Sequence, residues 1–62
     1  MKQDRLQEFK GYGYVTIGET EDDETIVAKR FDSGVVVIMA VHGQYVSQIR
    51  LNPEHMEKLS AL

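Results

Sequence analysis

Residues 34–41 read "GVVVIMAV", seven consecutive apolar residues behind a glycine with no ionisable side chain among them. Five of the seven are β-branched, which suits an extended strand. A strand with one wet face alternates apolar with polar; this one does not. Successive side chains point to opposite sides, so Val35, Val37, Met39 and Val41 share one face and Val36, Ile38 and Ala40 the other. Both faces of this strand therefore need cover. The chain has only 62 residues to supply it.

The flanking segments predict a meander. "MKQDRLQEFKG" places Leu6 and Phe9 three apart, as one or two helical turns would, and Met1–Asp4 is expected to fray. Residues 1–10 thus read as an N-terminal arm or short helix, and residues 11–62 as one small α+β domain. "YGYVTIGET" reads as a strand with Val15 and Ile17 on one side and Tyr12, Tyr14 and Thr16 on the other. "ETIVAKRFD" reads as a second strand, with Thr25, Val27, Lys29 and Phe31 opposite Ile26, Ala28 and Arg30. "DSG" and "HGQ" are turns whose glycines supply positive φ, and "YVSQIRL" is a fourth strand. Asn52 is a preferred N-cap and Pro53 suits the first helical position, which predicts a helix over about 53–61 with Met56 and Leu59 on one stripe. The expectation is a four-stranded antiparallel sheet followed by a C-terminal helix, β-β-β-β-α.

One short helix covers roughly one face of such a sheet. A second face could be met by strong curling with the N-terminal arm laid over it, by a second copy of the chain, or by a ligand or another protein. Burying one Val or Ile side chain contributes about 1.5–3 kcal/mol. A core in a chain this small rarely supplies more than about 3–5 kcal/mol in all. Three or four wet aliphatic side chains would be a large fraction of that, so the reading is a homodimer, with Val36, Ile38, Met56 and Leu59 as its interface.

Composition removes several classes of function. Without cysteine there is no disulfide, thiolate zinc site or cysteine nucleophile. The first ten residues lack an apolar core of signal-peptide length, and no apolar run approaches a membrane span, so the expectation is a cytoplasmic protein with no membrane partner. "GYGYV" lacks the spacing of a dinucleotide loop. "ETEDDE" has hard-cation oxygens but neither the glycine nor the alternation of a calcium loop, and reads as a solvated hairpin tip. His42 and His55 each stand alone and read as surface residues. No metal, no cofactor and no enzymatic activity are expected, because a domain this small has little room for a water-excluding pocket.

Two stretches carry a resemblance. "VAKRFDSGVVVIMAV" takes a basic-aromatic strand into a very apolar one, and "IRLNPEHMEKL" runs a strand through Leu-Asn-Pro-Glu into an amphipathic helix. Together they span about half of the chain. They resemble the core of the positive-cofactor-four family of transcriptional coactivators. That resemblance implies a curved four-stranded sheet with a C-terminal helix, dimerisation through helix and sheet, and binding of single-stranded DNA in transcription regulation. The chain departs from the family in its acidic "ETEDDE" and in a third strand without charges.

Single-strand binding needs cations along the backbone path and flat side chains for stacking. Lys29, Arg30, Phe31, Tyr45 and Arg50 are the candidates, and Lys10, Tyr12 and Tyr14 form a second small cluster. Parity puts Lys29 and Phe31 on one face and Arg30 on the other. The net charge of −3 argues against a surface that is basic throughout, but "ETEDDE" holds five of the ten carboxylates, and outside it seven cations face five acids. The alternative is a protein-interaction module, a small regulator or inhibitor that offers the acidic hairpin and an apolar sheet face to a protein partner.

Overall fold

The computed structural model describes residues 5–62, so the expected fraying of Met1–Asp4 lies outside it. Its elements are α1 (Arg5–Gly11), β1 (Val15–Glu19), β2 (Thr25–Arg30), β3 (Val36–His42), β4 (Tyr45–Leu51) and α2 (Pro53–Ser60). The strands form one open antiparallel sheet in the order β1-β2-β3-β4. This is the predicted α+β meander with its C-terminal helix, and the N-terminal segment is helical as well.

Local chemistry sets each corner. At the β2–β3 turn the Phe31 N–H donates to the Val35 carbonyl at 2.8 Å and the Gly34 N–H to the Phe31 carbonyl at 2.9 Å, with Gly34 at φ 91°. Gly43 takes φ 62° in the two-residue loop between the paired His42 and Tyr45. Such a φ at the first loop position matches the twist of the flanking strands. The acidic turn is organised around Thr20. Its hydroxyl oxygen accepts the N–H groups of Asp22 (3.3 Å) and Glu24 (3.2 Å) and donates to the Glu24 carboxylate (3.1 Å). At α2 the Asn52 N–H donates to His55 Nδ1 at 3.0 Å, so this histidine helps to cap the helix.

Register decides which face is inside. Val27 pairs with Met39, which pairs with Gln48; Thr25 pairs with Val41, which pairs with Val46. These residues, with Lys29, Val37 and Arg50, share one face of the sheet. Leu6 and Phe9 of α1 pack onto it together with Tyr14, and close over Val27, Met39 and Val41. Val27 is 0% exposed. This is the inner face.

The cover is thus α1, and not the C-terminal helix that patterning assigns to the task. The junctions explain the exchange. Between α1 and β1 lie Tyr12–Tyr14 with Gly13 at φ 95°, and the Tyr12 and Tyr14 N–H groups both donate to the Phe9 carbonyl, at 3.0 and 3.1 Å. That reversal folds the arm back over the sheet. Between β4 and α2 there is only Asn52, with no length of chain to return the helix across a face. The helix packs mainly against β4, Pro53 approaches Gly34, and none of its residues is buried. The Cα atoms accordingly span 42 × 27 × 14 Å, a slab one sheet and one short helix thick.

The other face presents a row, Val15–Ala28–Ile38–Ile49, that crosses all four strands. We call it the outer face. Val15 and Ile49 at its two edges are 66% and 61% exposed. β1 is shorter than its sequence suggests and carries a bulge between Thr16 and Gly18.

Two substitutions test this core. Val27→Ala should lower the unfolding free energy by about 1.5–3 kcal/mol in urea denaturation, a large part of what so small a domain possesses. Gly34→Ala should cost about 1–2 kcal/mol, because its φ is positive and a Cβ would stand 3.1 Å from Pro53 Cγ. Gly18→Ala, with open space around it, is the control and should be neutral or slightly stabilising.

Candidate functional site

The arm does more than cover the core. By folding back it brings Phe9, Tyr12 and Tyr14 beside the end of β2, where Lys29 emerges from the inner face. The Lys29 ammonium donates to the Tyr12 carbonyl at 2.7 Å and lies 5.0 Å from the Phe31 ring centroid and 6.0 Å from that of Tyr14. Phe9 and Tyr14 meet with ring centroids 5.8 Å apart and planes tilted by 59°. The Arg5 guanidinium sits 5.3 Å from the Phe9 ring centroid and pairs with Glu8 at 3.3 Å. Cation–ring contacts of this kind contribute about 0.5–1 kcal/mol each at exposed sites.

The result is a cleft of about 350 Å³ lined by Phe9, Tyr12, Tyr14, Lys29, Phe31, Met39 and Gln48. Phe31 forms a shared wall with a second, smaller cleft of about 200 Å³, lined by Ser33, Val35, Val37 and Arg50. Among the described residues no carboxylate lines either one, although the chain is acidic. Glu19 ends β1 opposite Thr25 and the other four acids of "ETEDDE" lie in the turn beyond it, whereas Lys29 and Phe31 lie at the other end of β2. Four residue steps along the strand take Thr25 to Lys29, about 13 Å. The sheet therefore keeps its negative pole away from the clefts.

The five candidate binding residues divide between the faces. Lys29, Phe31 and Arg50 come together on the inner face around the two clefts. Arg30 pairs with Val36 and Tyr45 with His42 on the outer face, where Tyr45 is 81% exposed. Tyr12 and Tyr14, read from the sequence as a separate cluster, join Lys29 instead; Lys10 does not line the cleft. Gln48 and Ser33 carry no binding signal in the sequence, and Phe9 shows there only as part of a helical stripe with Leu6. Gln48 was accessible to strand parity, since it shares a face with Arg50 and Val46. Phe9 was not, because its place depends on how the arm turns back. Of the expected interface residues, Val36 is already buried within its own chain, Ile38 and Met56 are half-buried, and Leu59 is exposed.

Among the described residues no cluster of three or more histidines and carboxylates is disposed to hold a metal ion, and no helix is long and apolar enough to cross a membrane. No family model, curated protein or solved structure matches the chain. What the clefts do must be read from their own chemistry: flat aromatic walls, two cations, and amide and hydroxyl groups at the rim.

Phe9→Ala should remove the floor of the larger cleft. Hydrogen exchange should then accelerate first at the Tyr12 and Tyr14 amides, which donate to the Phe9 carbonyl, with an overall loss of about 1.5–3 kcal/mol, since the ring is only half-buried.

Proposed function

We propose that the protein is a small homodimeric binding module that takes single-stranded nucleic acid on its inner face, in transcription regulation or a related task. One observation carries this reading. In a chain of net charge −3, the paired clefts have no carboxylate among the described residues that line them and combine Tyr12, Tyr14 and Phe31 with Lys29 and Arg50. Bases stack on rings of this kind for about 1–3 kcal/mol each, and cations beside the rings meet the phosphates between bases. Three rings and two cations suit a short tract of two or three nucleotides. The corresponding affinity is about micromolar at best.

The protein-binding alternative has the Thr20-centred acidic turn in its favour, which presents Glu21, Asp22 and Asp23 as exposed, similarly charged groups on an ordered backbone. It predicts capture by a basic protein surface and indifference to oligonucleotides.

Fluorescence anisotropy with a labelled oligonucleotide separates the two. Binding through Lys29 and Arg50 should weaken with salt at a slope of about −1.4 in log K against log concentration, from roughly 0.7 per phosphate contact on single strands. Arg50→Ala should halve that slope with stability unchanged, since Arg50 is exposed and its side chain makes no hydrogen bond or ion pair among the described residues. Phe31→Ala should weaken binding without changing the slope. A flat anisotropy signal at low salt would remove the nucleic-acid reading and leave the acidic turn as the better guide.

A further inference from the structure

We infer that the outer face, with the acidic turn at its end, is a docking surface for one amphipathic helix of a partner protein, basic at the end that meets the turn. This rests on the protein-binding reading above and gives it a partner class. The inner-face clefts are on the opposite side of the sheet and take no part.

The apolar part of the surface is uncharged and only partly covered. Neither the row Val15–Ala28–Ile38–Ile49 nor the next one toward the turn, Gly18–Ile26–Ala40–Ser47, holds an ionisable group. The chain's own cover stops short of them. α1 lies on the inner face, and Val36 is buried at the far end of the outer one. Between these limits Ile38 is half-buried and the edge residues Val15 and Ile49 are open. Ile17, unpaired in the β1 bulge, adds an apolar side chain that is 65% exposed.

Area selects the occupant. Four strands about 4.8 Å apart and two side-chain rows about 7 Å apart make a patch of roughly 270 Å². A stable protein pair buries about 800 Å² on each partner, roughly three times as much. One helix, about 10–12 Å across with its side chains, covers such a patch in roughly 13 residues. The inner face shows how this sheet takes a helix: Leu6 and Phe9, three apart on α1, close over Val27, Met39 and Val41. The occupant of the outer face uses the same kind of stripe, with apolar side chains at i, i+3 and i+4.

Charge sets its polarity. The pair Glu19–Thr25 follows directly on Gly18–Ile26, and beyond it Glu21, Asp22 and Asp23 are all exposed. Their backbone is held by the Thr20 hydroxyl, which accepts the N–H groups of Asp22 and Glu24. Fixed carboxylates beside an uncharged face attract cations at that end of a partner and repel acids. At the other end of the same face Arg30 is exposed, which disfavours a partner that is basic along its whole length.

Fluorescence anisotropy on the full chain tests this with a labelled 14-residue peptide. Its leucines fall at i, i+3, i+4 and i+7, lysines fill the other positions of its first two turns, and glutamines fill the rest. The control peptide has the same composition with the leucines moved off the stripe. The striped peptide should bind in the micromolar range and gain helix by circular dichroism as it does so. Val15→Gln and Ile49→Gln each remove an apolar side chain at an exposed position without changing charge, and each should weaken binding roughly fivefold. Glu21→Gln, Asp22→Asn and Asp23→Asn together should weaken it about threefold or more at low salt and hardly at all near 1 M salt. Asparagine tolerates the φ of 63° at position 23. Phe31→Ala should leave peptide binding unchanged; a loss there would move the peptide to the clefts and overturn the inference. Equal binding of the control peptide, or indifference to both Val15→Gln and Ile49→Gln, would overturn it too. If that binding still needs the three acids, the protein-binding reading survives alone; no binding of either peptide sinks both. Sedimentation velocity covers the remaining occupant: a wild-type dimer dissolved by Val15→Gln and Ile49→Gln would assign the face to a second copy and overturn the inference.

Discussion

Leu6 and Phe9 closing over Val27, Met39 and Val41 is the contact from which the rest of the molecule follows. Val27 is the single large side chain fully removed from solvent among the described residues. It pairs with Met39 in the sheet, and Leu6 and Phe9 of the arm pack against the cluster it belongs to, so the core joins elements that are distant in sequence. A seven-residue helix has little stability of its own. It exists because it is held to the sheet, and the sheet keeps a dry face because the helix is there. Neither half is a stable solution alone.

Much of this was written locally in the chain. The apolar run of β3, the glycines at 34 and 43, and the Asn52–Pro53 start of α2 each depend on neighbours within a few residues, and each is where the sequence places it. Face assignment along β2 and β3 was also legible, since Lys29 and Phe31 share a side and Val36 and Ile38 oppose Met39. The identity of the cover was not. Leu6 and Phe9 in the arm and Met56 and Leu59 in the last helix offer similar apolar stripes, and composition does not rank them. The ranking is made by the connections: three residues with a left-handed glycine let α1 double back, and a single residue before Pro53 does not let α2 do so. The same non-local step moved Tyr12 and Tyr14 next to Lys29. Half of the candidate site thus followed from parity on β2 and β4, and half from a reversal of the chain that parity does not see.

Charge is distributed as unevenly as hydrophobicity. The acidic turn around Thr20 is at one end of the β1–β2 hairpin, and the clefts are at the other. At physiological salt a separation beyond roughly 8 Å is largely screened. The carboxylates of that turn therefore do not cancel Lys29 and Arg50 locally, despite the negative total. Net charge is a poor descriptor of a molecule built this way; the field beside the rings is set by which groups line them.

Lys29 has two tasks at once. Its ammonium fastens the chain at the Tyr12 carbonyl while also standing among the rings as the charge of the larger cleft. Recognition is thereby tied to folding. A molecule whose arm has peeled from the sheet has lost both the aromatic floor and the fixed position of its cation. Only the fraction of copies with the arm seated is competent, and the apparent affinity for anything held there is reduced by that fraction.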